Sequence, residues 1–130
     1  MYQVNKYLVC QYRYGGRNFP YLDCWGLVLN FYKNELNIDL PLNESVKDMS
    51  ADVENTTKRQ IKYCEIKESD LCADTVYIAC FYCNNKLKHC GVVVNKRILH
   101  TTNTGTCYKS IRDTKISYKL WKIKYYEVKC

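Results

Sequence analysis

Apolar positions along this chain change their period near the middle. Upstream, Cys24, Leu27, Val28 and Phe31 fall at i, i+3, i+4 and i+7, which predicts a helix with one buried face. Asp23 stands just before that face, where a carboxylate makes a good N-cap. Gly26 inside the helix costs about 1 kcal/mol against Ala, so it points to something packed close to the first turn. Asn37 to Pro41 ends the helix. Earlier still, Val4–Tyr12 predicts a short helix, Tyr14-Gly15-Gly16-Arg17 a turn, and Asn18–Leu22 a loop holding a proline. Asn43–Tyr63 is polar, but Val53, Thr57 and Ile61 recur every four residues, which predicts a surface helix starting near Asp48 or Ser50.

From Asp74 the period becomes two. Thr75–Tyr82 predicts a strand that turns at Asn84-Asn85. Leu87–Val94 and Arg97–Thr102 flank Asn95-Lys96, a two-residue connection suited to a tight hairpin. Cys107–Ile111 and Tyr118–Val128 supply two more strands. Helices first and strands after predict an α+β domain with an antiparallel sheet.

Composition adds bounds. A chain of 130 residues without repeats or a linker is read as one domain, 1–130. The net charge of +7 would draw the surface to polyanions such as nucleic acid, anionic membranes or a cell wall. The basic residues of Lys115–Lys129 alternate with apolar ones, the pattern of a strand's solvated face, and no nucleic-acid-binding signature accompanies them, so no nucleic-acid partner is expected. No apolar run approaches the roughly 18 residues of a membrane span, so no membrane partner is expected. Met1–Lys6 lacks the apolar core of a signal peptide, which predicts synthesis in the cytoplasm without an export address. Nine cysteines would suggest disulfides in an exported chain. Cys80 with Cys83 and Cys90 with Cys107 invite zinc, but a second well-spaced pair is missing. The simpler reading is reduced cysteines packed as small hydrophobes, with no metal or cofactor.

One cysteine stands apart. Cys24 sits at the first turn of the predicted helix, where unpaired N–H groups and the macrodipole favour thiolate over thiol. Its own backbone N–H is then a candidate oxyanion donor. The chain has two histidines, and both fall in the predicted hairpin. With Asn95-Lys96 as the loop, Val94 pairs with Arg97, Gly91 lies opposite His100, and His89 lies opposite Thr102. His89 and His100 become diagonal neighbours on one face, within reach of each other through their rings. A thiolate, an imidazole to carry its proton and a second imidazole to hold the first make a Cys-His-His catalytic site. Packed cysteine and satisfied histidines, or a metal site lacking its carboxylate, are the rival readings.

The segments Tyr12-Arg13-Tyr14-Gly15-Gly16, Asp23-Cys24-Trp25-Gly26-Leu27-Val28, His89-Cys90-Gly91-Val92-Val93-Val94 and Ile98-Leu99-His100 resemble the NlpC family of papain-like cell-wall cysteine peptidases. The match runs from about Tyr7 to Ser110, and the form of the cysteine motif is similar to phage and prophage tail-associated members. The resemblance implies a papain-like α+β fold and cleavage of peptidoglycan stem peptides between D-glutamate and the diamino acid. It implies Cys24 as nucleophile, His89 as base and His100 as the third polar residue. Tyr12 and Asp23 would contact substrate, the latter at a free amine, and Trp25 stands in the substrate site where many members have serine. Asp74 aligns with a strand start, here without the usual Pro-Gly, and takes a structural role. The expected partners are a peptidoglycan stem peptide and phage tail proteins, with the chain a virion component. A non-catalytic tail or baseplate component, and a papain-like amidase or acyltransferase acting on protein, are the alternatives.

Overall fold

The computed structural model describes residues 2–41 and 61–129. The helix expected over Asn43–Tyr63 lies almost wholly outside the described residues, and its last residues are not helical: Lys62–Ile66 form a strand, β4. The four-residue spacing ending at Ile61 does not extend into it.

The helix expected at Cys24 runs Cys24–Leu36 (α1). Asp23 caps it, accepting the Gly26 N–H at 2.7 Å. Asn37 ends it in the left-handed conformation, φ 55°, which asparagine tolerates better than most residues. Leu27, Val28 and Phe31 are fully buried, and each contributes about 1.5–3 kcal/mol by leaving water. Upstream, the expected helix over Val4–Tyr12 is only a 3-10 turn, Asn5–Val9. The expected turn and loop form three short strands, β1 (Gln11–Tyr12), β2 (Arg17–Asn18) and β3 (Tyr21–Leu22), with a cis Phe19–Pro20 bond between the last two. Strands of two residues are too short to show an alternation.

Downstream come β5 (Tyr77–Cys83), β6 (Lys86–Val94), β7 (Arg97–Thr102), β8 (Gly105–Ser110) and β9 (Lys122–Lys129). They join β4 in one antiparallel sheet ordered β4-β9-β5-β6-β7-β8. Asn95 and Lys96 both have positive φ, 53° and 61°, the geometry that a two-residue hairpin loop requires. A second helix, α2 (Ile111–Ser117), interrupts what the alternation read as strand and loop; Ser110 caps it through the Asp113 N–H.

Alternation along β5 divides the core. Ile78 and Cys80 join Val92, Leu99 and the buried face of α1, while Tyr77, Ala79 and Phe81 join Val93, Ile98 and Tyr125 on the opposite face. The fold is therefore α+β, with α1 laid across β6 and β7.

Candidate active site

The start of α1 is held by a buried polar knot. Asp23 is 5% exposed, and its Oδ1 accepts from Arg17 Nη1 at 2.6 Å as well as from Gly26. Its Oδ2 accepts the Gly15 N–H at 3.1 Å. Asn30 adds a clamp, donating through Nδ2 to the Arg17 and Gly26 carbonyls. Gly26 earns its place by close approach: a Cβ there would collide with the Gly16 carbonyl. The small N-terminal sheet is thus pinned to the first turn of the helix.

Cys24 opens that turn and is itself buried. Its thiol is pulled down to about 5, first by a hydrogen bond from the Cys90 thiol and, against the cost of burial, by the hydrogen bond and charge of His89. Cys90 is buried on β6 beside it, and burial pushes its own thiol well up. The group beside the thiolate is therefore a neutral S–H donor.

The hairpin brings the histidines together as its register requires. Val94 pairs with Arg97, Val93 with Ile98 and Val92 with Leu99, and His89 Nε2 lies 2.9 Å from His100 Nδ1. Gly91 makes the approach feasible, because a Cβ there would stand 2.8 Å from His100 Cβ and 2.7 Å from the Leu99 carbonyl oxygen. One feature escaped the pattern. The β5–β6 register slips between Phe81↔His89 and Tyr82↔Leu87, leaving Lys88 as a bulge beside the histidine. A bulge re-aims the side chain next to it. With His89 Nε2 turned to His100, Nδ1 is the ring nitrogen left for Cys24.

His100 is 4% exposed. Burial, with the charges of His89 and Lys109, lowers its pKa to about 3, so its ring is neutral and can accept at Nδ1. Tyr118, which follows α2, stacks on His89 with ring centroids 6.1 Å apart and meets His100 edge-on at 5.8 Å. Phe81 closes the same wall, 4.8 Å from His89 and 5.5 Å from His100. Neither aromatic was singled out from the sequence. Finding them required the bulge and α2, and neither leaves a periodic signal.

The other three expected contacts separate. Tyr12 is 38% exposed on β1; its phenol is pushed up by partial burial and by the neighbouring Cys24 and Asp23 charges, so it stands at the mouth of the site. Asp23 is beside the thiol, but its carboxylate already serves Arg17 and two backbone N–H groups. Trp25 is fully buried, with its indole N–H donating to the Pro41 carbonyl at 3.1 Å. Asp74 is exposed and accepts from the Thr75 hydroxyl.

A depressed thiol on a helix start, a histidine against it and a neutral histidine behind can perform acyl transfer: the first ring takes the thiol proton and the second accepts from the first. Comparison with known proteins bears on the family and the fold. No curated protein sequence matches the chain. The crystal structure of the NlpC/p60 domain of peptidoglycan hydrolase SagA superposes with a TM-score of 0.60 at 16% identity, over 93% of this chain and 90% of that one, and so shares the fold. The model of the NlpC/P60 family matches residues 10–129, nearly the whole described structure. The chain belongs to the NlpC/P60 family.

Proposed function

We propose that this protein is a cysteine peptidase that hydrolyses the bacterial cell wall, with Cys24 as nucleophile, His89 as general base and acid, and His100 orienting His89. The observation that carries the reading is the continuous chain from Cys24 through His89 to His100, with the thiol held near 5 by its neighbours. His89 takes the proton of the Cys24 thiol. The thiolate attacks the scissile carbonyl, and the oxyanion meets the Cys24 N–H at the helix start. His89 then protonates the leaving amine, and the acyl group stays on sulfur. A water, deprotonated by the same ring, releases the acid and restores the thiol.

The finer reading is cleavage of the stem peptide between D-glutamate and the diamino acid, with Tyr12 at the mouth as the substrate contact. Asp23, committed to Arg17, and Trp25, buried, leave Tyr12 as the most exposed of the three residues assigned to substrate. Delivery in a phage tail belongs to the same proposal and is supported by the form of the Asp23–Val28 motif. Purified sacculi incubated with wild type are expected to release new amino termini, and Cys24→Ala is expected to release none. Mass spectrometry of the fragments identifies the bond. Equal release by the two proteins would sink the proposal.

A further inference from the structure

The relay does not end at His100. Cys107 lies opposite His100 in the β7–β8 ladder, and its Sγ is 3.2 Å from His100 Nε2. That is the ring nitrogen left over by the bond to His89, so the direction of this contact decides where His100 carries its hydrogen.

Two arrangements are open to the hydrogens. In one, the Cys107 S–H donates to Nε2, and His100 carries its hydrogen on Nδ1, donating to His89 Nε2. A neutral His89 then holds its own hydrogen on Nδ1, facing Cys24, and cannot take the thiol proton. In the other, His100 Nε2–H donates to the Cys107 sulfur. His100 Nδ1 is then a lone pair that accepts His89 Nε2–H, and His89 Nδ1 is free to receive the proton of Cys24. Only the second arrangement is productive.

We propose that Cys107 is a positioning residue, a sulfur acceptor that fixes the His100 tautomer needed for His89 to act as base. The inference rests on the catalytic reading of Cys24 and His89. Its chemistry suits the surroundings. Burial raises the Cys107 thiol, outweighing Lys109, so the group stays a neutral S–H. Its hydrogen can turn toward a recess of about 310 Å³ lined by Thr102, Thr106, Ser117 and Tyr118. Sulfur is a weak acceptor, so the bias it supplies is modest and measurable. The titratable or charged groups around the ring are His89 on β6, Cys107 and Lys109 on β8, and Tyr118 after α2.

Two experiments test the tautomer without any cell-wall substrate. The chain has two histidines, so histidine-selective nitrogen-15 labelling gives two ring systems in the wild-type spectrum. A protonated Nε2 and a bare Nδ1 on His100 are expected; a protonated Nδ1 overturns the proposal. The second experiment follows alkylation of Cys24 by iodoacetamide against pH, read by mass spectrometry of its peptide. Cys107→Val is expected to slow alkylation about fivefold below pH 5, where the thiolate fraction of Cys24 is no longer saturated, the worth of one hydrogen bond, while Cys107→Ser stays within about twofold of wild type. An unchanged Val variant, or equal losses in both variants, overturns the role. Should Cys107→Val not fold, the wild-type spectrum decides by itself. Failure to cleave sacculi would remove the peptidase reading and leave these measurements intact.

Discussion

Cys24 and His100 are both shifted down by the same pocket, one toward its charged form and the other toward its neutral one. The thiol is favoured as an anion by the Cys90 thiol and His89, reaching about 5, while burial holds His100 neutral down to about 3. The pH–rate profile is therefore expected to keep its acid limb near pH 5, where the thiolate is lost; a limb near the ordinary thiol range would contradict the assignment. Stability carries a second signature. His100 is depressed from 6.5, so between 6.5 and about 3 the unfolded chain binds a proton that the folded one refuses. Its contribution is present above 6.5 and is lost as pH falls toward 3, at about 1.4 kcal/mol per unit. Denaturant titrations should show a shallower acid decline in His100→Gln than in wild type. At this scale the sequence made the essential pairing legible, because a two-residue loop fixes which residues of a hairpin meet. It did not reveal Cys107, since a cysteine opposite a histidine means something only once β8 is in register. Nor did it show that Asp23 and Trp25 are consumed by Arg17 and Pro41.

Elements were legible where their pattern was long. Helix α1 begins and ends where its apolar face, cap and Asn37 place it, and the β6–β7 hairpin turns on the expected pair. What the pattern missed was short or interrupted: the two-residue strands, the seven-residue α2 and the bulge at Lys88. Each is set by tertiary contacts or by a cap, which hydrophobic period does not encode. The close approaches within these elements are testable. Gly26→Ala drives a methyl into the Gly16 carbonyl and Gly91→Ala drives one against the Leu99 carbonyl and His100. Each is expected to cost about 1–3 kcal/mol, the range for overpacking, and Gly91→Ala should also slow Cys24 alkylation by displacing His100. Thermal melts and thiol labelling check both. Lys96 carries positive φ in the hairpin loop, so Lys96→Gly is expected to stabilise the fold by a few tenths to about 1 kcal/mol. A lower melting point for that variant would contradict the turn geometry.

Across the whole molecule, the charge of +7 suits an anionic substrate surface. Exposed charges are screened beyond about 10 Å at moderate salt, so binding of a Cys24→Ala protein to purified walls should weaken as salt rises; salt-independent pelleting would place the affinity elsewhere. The order of the chain has a different consequence. His89, His100 and Cys107 come from the consecutive strands β6, β7 and β8, whereas Cys24, the proposed nucleophile, comes from α1, well upstream of them. During synthesis Cys24 leaves the ribosome long before either histidine exists. Until the later strands dock beneath the helix, it lacks the Cys90 and His89 contacts that depress it, and it behaves as an unactivated thiol. A nascent or truncated chain ending before β6 therefore carries Cys24 without the neighbours that lower its thiol. Of the three residues of the proposed relay, Cys24 is the first to be made, and the later strands are what arm it.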